Sequence, residues 1–420
     1  MRFALTLALA LIAQASFGQT VVENIPPVVQ NPLAMTISSV LVQPKSDHFH
    51  NDQILLLPKR GKVSLLEKAS KLNFTYKLQS KKDAPLIFVL PGLGGDFRAS
   101  GALFIAEKLF ALGYSTVTLD NPFSWTFSVS GSRSGMPGYM VEDSRDLYQA
   151  LLKINQKLKT QRGARPRAYA LAGYSLGGLQ SLFLKNIDRT EKHFNFSHVL
   201  TINPPLDLLH AVNQLDAMYV RGQSLSESRK AYVFTRLLDV GGDVLASKKP
   251  FSGAQDLQNV FDRLHFNDSD LSYIVALSFR LSLKDVIFAS QQVKDSGLLR
   301  NRVSEFYRNA RYNEAGNIFF ADYMERFVFP RVKAQKDLDY SVSDLNEESS
   351  IYQFADLIRN DSGIFFVHSQ DDFLLKNGDL AWAKDIFGPR ALVFPYGGHC
   401  GAMGFTQFEG FLKQIFTIKR

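Results

Sequence analysis

Residues 168–178 read AYALAGYSLGG, and no other stretch limits the fold of this chain so tightly. An apolar run leads into Gly173-Tyr174-Ser175-Leu176-Gly177, a G-x-S-x-G pattern, and a helical stretch follows. A buried strand that turns sharply into a helix needs small residues two positions either side of the turning residue. Larger side chains there would collide with neighbouring backbone. Such a turn lifts the Ser175 hydroxyl out of the sheet and sets the Leu176 amide at a helix N-terminus beside it. The simpler reading is a glycine-rich turn with an N-capping serine. The remainder of the sequence separates the two.

Strand-like and helix-like segments alternate on both sides of this turn. PLIFVLPG (85–92), STVTLDNPF (115–123), HVLTINPP (198–205), GIFFVHS (363–369) and ALVFPYGG (391–398) are apolar runs of strand length. Runs of this kind suit strands covered on both faces. Between them, Ile105, Leu109 and Leu112 recur at helical spacing before Gly113, as do Leu147, Leu151, Ile154 and Leu158. A Ser/Gly-rich loop is expected over 128–138, and GFTQFEGFLKQIFTI supplies a closing helix. The pattern predicts an α/β fold with a doubly wound, mostly parallel sheet. Residues 209–361 break the rhythm with helical periodicity and twelve phenylalanines, as an inserted helical cap would. Most of those rings must form the cap's own core; INPPLDLLHAVNQLDAMY (202–219) is the segment best placed to touch a substrate. The core is thus expected at 85–208 and 362–420. Ahead of it, residues 19–34 with three prolines read as an extended arm. MTISSVLVQ (35–43), QILLLP (53–58) and LNFTYKL (72–78) read as antiparallel lead-in strands, completing a segment over 19–84.

A serine attacks only when a base takes its proton, and the base needs an orienting acid. Downstream of Ser175, VHSQDDF (367–373) ends a buried strand with two carboxylates, and YGGHCG (396–401) ends the next with His399. The order Ser, Asp, His, each past a strand end, is that of a nucleophile-elbow hydrolase. Upstream, LPGLGGD (90–96) ends the first parallel strand, with Gly92 letting backbone approach a substrate. The Leu93 and Leu176 amides are the candidate oxyanion donors.

Together LPGLGGD, AGYSLGG, VHSQDDFL and YGGHCG resemble the α/β-hydrolase superfamily, in its cap-bearing esterase and serine-aminopeptidase-like branch. The resemblance covers roughly 85–208 and 362–420. It implies Ser175 as nucleophile, His399 as base and Asp371 or Asp372 as acid. Members commonly read H-G-x-x-D at the acid, which aligns Asp372 with that role and leaves Asp371 to cap loop amides. Many carry His-Gly where this chain has Pro91-Gly92; the backbone donor is expected to survive the change. The implied activity is hydrolysis of a carboxylic ester, small or lipid-like, with no metal or organic cofactor. A serine aminopeptidase is the alternative, needing cap carboxylates such as Glu347 and Glu348 to hold an ammonium group. A non-catalytic binding protein on the same fold is a third reading.

MRFALTLALALIAQASFGQT has the basic start, apolar run and small residues of a signal peptide over 1–18, with candidate cleavage after Ala15 or Gly18. The chain is therefore expected to be periplasmic or secreted. Its net charge of +8 comes from 48 basic and 40 acidic residues without long basic runs, which argues against nucleic acid and leaves room for weak attraction to an envelope surface. The only cysteine, Cys400, excludes an internal disulfide. It has no elbow of its own and is expected to be a small buried filler beside His399. His48-Phe49-His50-Asn51-Asp52 lacks a further ligand for a metal site and reads as a solvated loop. His368 reads as a packed residue of the acid strand. Asp120 and Asn121 border the site, where lining and turn roles both fit. Oligomeric state is not written in the sequence.

Overall fold

The computed structural model describes residues 27–40, 44, 48–61, 63, 66, 70–247 and 254–418. The expected signal peptide and its cleavage sites lie outside the described residues. Eight strands form one sheet: β1 (His50–Ile54), β2 (Leu72–Lys77), β3 (Leu86–Leu90), β4 (Ser115–Leu119), β5 (Tyr169–Tyr174), β6 (His198–Ile202), β7 (Ile364–Ser369) and β8 (Ala391–Phe394). Their order is β1-β2-β4-β3-β5-β6-β7-β8. β2 runs antiparallel to both β1 and β4, and the remaining pairs are parallel.

The central strands are apolar throughout because each feeds two cores. On β3, Ile87 and Val89 join one cluster with the helix Ser100–Ala111 and the C-terminal helix Thr406–Phe416. Leu86, Phe88 and Leu90 point the other way, into the cluster shared with the helices Met140–Arg162 and Leu176–Glu191. On β5, Ala170 and Ala172 oppose Tyr169 and Leu171 in the same alternation. Side chains two residues apart share a face of a strand, so helices cover both faces of the sheet.

Between β6 and β7 the described residues form helices joined by loops. The longest, Asp268–Val293, begins with a capping box in which Asn267 and Asp270 bond reciprocally. It packs against the helices Leu208–Gln223 and Trp125–Ser130.

The lead-in departs from expectation. Pro27–Gln30 and Pro32–Ser38 are helical rather than extended, and Met35–Ser38 finishes the second helix rather than starting a strand. Asn31 is the reason: its side chain accepts from the Leu33 and Ala34 amides, and Pro32 opens the helix behind it. Residues 41–43 of that expected strand lie outside the described set. The edge strand occupies His50–Ile54 instead of 53–58. The H-x-H-x-D string is accordingly half strand, with Asp52 ion-paired to Lys157 at 2.5 Å. The Ser/Gly-rich loop is shorter than expected, since its first residues end the Trp125–Ser130 helix.

Candidate active site

Ser175 stands between β5 and the helix Leu176–Glu191 with φ 54° and ψ −129°. This backbone region is costly for a residue with a side chain, about 1–3 kcal/mol, and it persists where packing fixes it. The two elbow glycines show how. A Cβ on Gly173 would lie 2.2 Å from the Gly177 carbonyl oxygen, and one on Gly177 would lie 2.4 Å from that of Leu90. Ser175 occupies the N-cap position, but its side chain makes no capping bond. Its Oγ meets His399 Nε2 at 2.8 Å.

His399 comes from the loop after β8. Its Nδ1 lies 2.8 Å from Asp372 Oδ2, on the loop after β7. Asp372 Oδ2 also accepts from Asn203 Nδ2 at 3.0 Å, and Oδ1 accepts from the Leu374 amide at 3.0 Å. All three residues are nearly covered, with Ser175 7%, His399 4% and Asp372 4% exposed. The cavity of about 820 Å³ near Arg133, Lys294 and Arg326 has none of them on its wall.

The two adjacent carboxylates differ sharply. Asp371 accepts from the Gly398 amide at 2.8 Å and the Gly397 amide at 3.2 Å, and does not reach the imidazole. Burial raises its pKa against those amides, with the Asp372 charge adding to the rise. Asp372 is pulled below the usual carboxylate range: burial opposes ionisation, but the charge and hydrogen bond of His399 outweigh it. For His399 burial favours the neutral ring, yet Asp372, with Cys400 beside it, raises the pKa well above the ordinary histidine value. His368 is buried: its Nδ1 accepts from the Ser369 amide at 3.1 Å, its Nε2 lies 3.3 Å from the Pro204 carbonyl oxygen, and burial lowers its pKa below the ordinary histidine value. Asp372, itself held by the donating Asn203 amide, thus keeps one imidazole in register with the serine while the other stays in the packing.

The Pro91–Gly95 turn passes directly over the serine. A Cβ at Gly92 would be 3.0 Å from Ser175 Cβ and 3.4 Å from its Oγ. Asn121 pins this turn: its Nδ2 donates to the Pro91 carbonyl at 2.7 Å and to Gln180 Oε1 at 2.9 Å, and its backbone amide bonds Gly95. Asp120 accepts from the Phe97 amide and Thr126 hydroxyl, and burial pushes its pKa up to about 7. From above, the Asp268–Val293 helix presses on the turn, so that a Cβ on Gly94 would lie 2.3 Å from Ser282 Oγ. Leu93 sits in this turn, and Leu176 opens the elbow helix, where its amide has no intrahelical acceptor. Phe279 of the same cap helix and Phe373 flank the imidazole, with ring centroids 6.4 and 5.9 Å from it. Cys400 is 2% exposed and takes the left-handed conformation at φ 72°. Among the described residues no cluster of His, Cys, Asp and Glu could hold a metal ion.

Strand order, an elbow after β5, a carboxylate after β7 and a histidine after β8 are now together on one sheet edge. The chain has the α/β-hydrolase fold. No family model matches the chain, and no curated protein matches it in sequence. Among solved structures, an esterase from the archaeon Pyrobaculum calidifontis is 14% identical, covering 92% of this chain and 90% of its own, at a TM-score of 0.40. A fungal esterase from Rhizomucor miehei is 13% identical over 97% and 94%, at 0.41. An acylaminoacyl peptidase from Pyrococcus horikoshii is 11% identical over 87% and 40%, at 0.38. What assigns the α/β-hydrolase fold is the strand order and the elbow.

Three contributors escaped the sequence reading. Asn203, at the C-terminal end of β6, carried a usable signal, since parallel neighbours of the acid strand end beside it. Phe279 is one of twelve phenylalanines in its segment, and nothing local marks it. Thr36 accepts from the His399 amide at 2.8 Å across 363 residues, a separation no spacing rule spans.

Proposed function

We propose that this chain is an exported serine hydrolase that cleaves carboxylic esters through an acyl-enzyme. The observation carrying the proposal is the unbroken chain Ser175 Oγ, His399 Nε2, His399 Nδ1, Asp372 Oδ2, with both links at 2.8 Å. In this reading His399 takes the Ser175 proton as Oγ attacks the carbonyl carbon. The resulting oxyanion is received by the Leu93 and Leu176 amides. His399 returns the proton to the leaving alcohol; a water molecule then repeats the sequence on the acyl-enzyme. Asp372 stabilises the imidazolium and fixes which nitrogen faces the serine. Export rests on the leader-like N-terminus, and both candidate cleavage sites precede the first described helix.

Ester cleavage is preferred to aminopeptidase action because the cap carboxylates expected to receive an ammonium group are otherwise engaged or open to solvent. Glu348 is taken by Lys336 and the hydroxyls of Tyr139 and Tyr340, and Glu347 is exposed. The rings of Phe279 and Phe373 beside His399 suit an apolar acyl or alcohol group. A panel of p-nitrophenyl esters of rising chain length, run beside aminoacyl p-nitroanilides, tests the reading. Ester turnover lost by a thousandfold or more in Ser175→Ala supports it. Turnover of the anilides alone would reassign the chain to the peptidases, and turnover unchanged in Ser175→Ala would remove the serine mechanism.

A further inference from the structure

The loop that delivers His399 has little secondary structure of its own. β8 ends at Phe394, and Gly397 and Gly398 both take positive φ, at 142° and 53°. A backbone this permissive needs outside restraint if the imidazole is to stay aligned with two partners at once. Three consecutive amides show where the restraint comes from. Asp371 accepts from Gly397 and Gly398, and the Thr36 hydroxyl accepts from His399 at 2.8 Å. Thr36 in turn donates to the Pro32 carbonyl at 2.7 Å, which fixes its rotamer and aims its lone pairs at the loop.

The fit is close on both sides of the histidine. A Cβ on Gly398 would lie 2.0 Å from the Pro32 carbonyl oxygen, and one on Gly401 would lie 2.3 Å from that of Met35. The helix Pro32–Ser38 therefore lies backbone against backbone with the loop, and the two glycines make that approach feasible. Behind it, Ala34 and Met35 share a small core with Leu271 of the long cap helix, Phe261, Tyr396 and Phe405. Asn31 also donates to Asp268 at 2.7 Å.

We propose that Thr36 is a positioning residue for His399, and that the helix Pro32–Ser38 is a working part of the active site contributed from the far end of the chain. The inference rests on reading Ser175, His399 and Asp372 as a triad. Thr36 touches no reacting atom; it acts by holding the His399 backbone so that Nε2 and Nδ1 meet Ser175 and Asp372 together. Both candidate leader cleavage sites would leave this helix on the mature chain.

The test compares the full-length wild type with Thr36→Val, which keeps the shape and removes the acceptor, and Thr36→Ser, which keeps the acceptor. Ile154→Val, in the core on the other face of the sheet, controls for lost stability alone. Two readouts are taken below the unfolding transition of every variant: ester kinetics, and the His399 ring titration by NMR. The groups facing that ring are Asp372, His368 and Cys400, none of which the variants change. Thr36→Val is expected to lower kcat about tenfold or more with KM within about twofold, and to lower the His399 pKa as the ring loosens from Asp372. Thr36→Ser should restore both, and Ile154→Val should change neither. Wild-type kcat and titration in Thr36→Val would overturn the proposal, as would equal damage in Thr36→Ser or Ile154→Val. If the wild type turns over no ester, the hydrolase reading fails by itself, and the titration still decides the role of Thr36.

Discussion

Neighbouring carboxylates with opposite environments make the sharpest residue-scale prediction. Asp372→Asn should lower kcat by about ten-thousandfold, because the amide cannot hold the imidazole tautomer that the serine needs. Asp371→Asn should stay within about tenfold, since its task is to accept two loop amides. Steady-state kinetics of the two variants check this directly. The pH profile follows from His399. As the proposed base it works only when neutral, and its pKa stands well above 6.5, held there against burial by Asp372. So kcat/KM should rise with pH along a limb centred above that value, with low activity in mild acid. A limb centred at or below 6.5 in the wild type would contradict this electrostatic picture. That Ser175, Asp372 and His399 lie together was legible in the sequence because each lies just past an apolar strand run, where chain order and position agree. Thr36 is not legible for a physical reason: it reaches His399 through one polar contact made across the fold, and a single Thr leaves no periodicity.

Among the elements, the elbow is the least tolerant of change. A methyl group on Gly173 or Gly177 meets backbone rather than a side chain that could turn away. Gly173→Ala and Gly177→Ala should each cost about 3 kcal/mol or more, read as a fall in denaturation midpoint or loss of soluble protein. The cap helix should behave differently. Phe279 is half-buried against His399 and packs on two apolar clusters, so Phe279→Ala should lower the denaturation midpoint less than either elbow substitution and raise KM severalfold for apolar esters. The elements that sequence reading placed well are those with their own periodicity: the apolar runs of β3 to β7 and the Leu147-Leu151-Ile154-Leu158 helix. The N-terminal segment is helical although its prolines and β-branched residues suggest extended chain. There Pro32 occupies the first helical turn, where its missing amide costs nothing, and tertiary contacts with the cap and the His399 loop supply what propensity does not.

For the molecule as a whole, the wall of the site carries a stability cost that depends on pH. Asp120 titrates at about 7 in the fold against 3.8 ordinarily, so the folded state holds a proton there that the unfolded chain releases between those values. Its contribution is neutral in acid, turns unfavourable as pH rises through that window, and levels off above about 7, at a limit of about 4 kcal/mol. Asp120→Asn should therefore stabilise the protein more at pH 8 than at pH 4, measured by thermal denaturation at both. The larger architecture explains why such a cost is tolerated: Asp120 fixes the Phe97 amide and Thr126 beside the turn over Ser175, so its burial comes with the geometry of the site. Everything proposed for the chain converges on one oxygen atom. Wild-type protein treated with an alkyl fluorophosphonate should gain one adduct by intact mass, mapped by peptide sequencing to Ser175 and absent from Ser175→Ala. A folded wild type that gains no adduct, or carries it on another residue, would contradict the account.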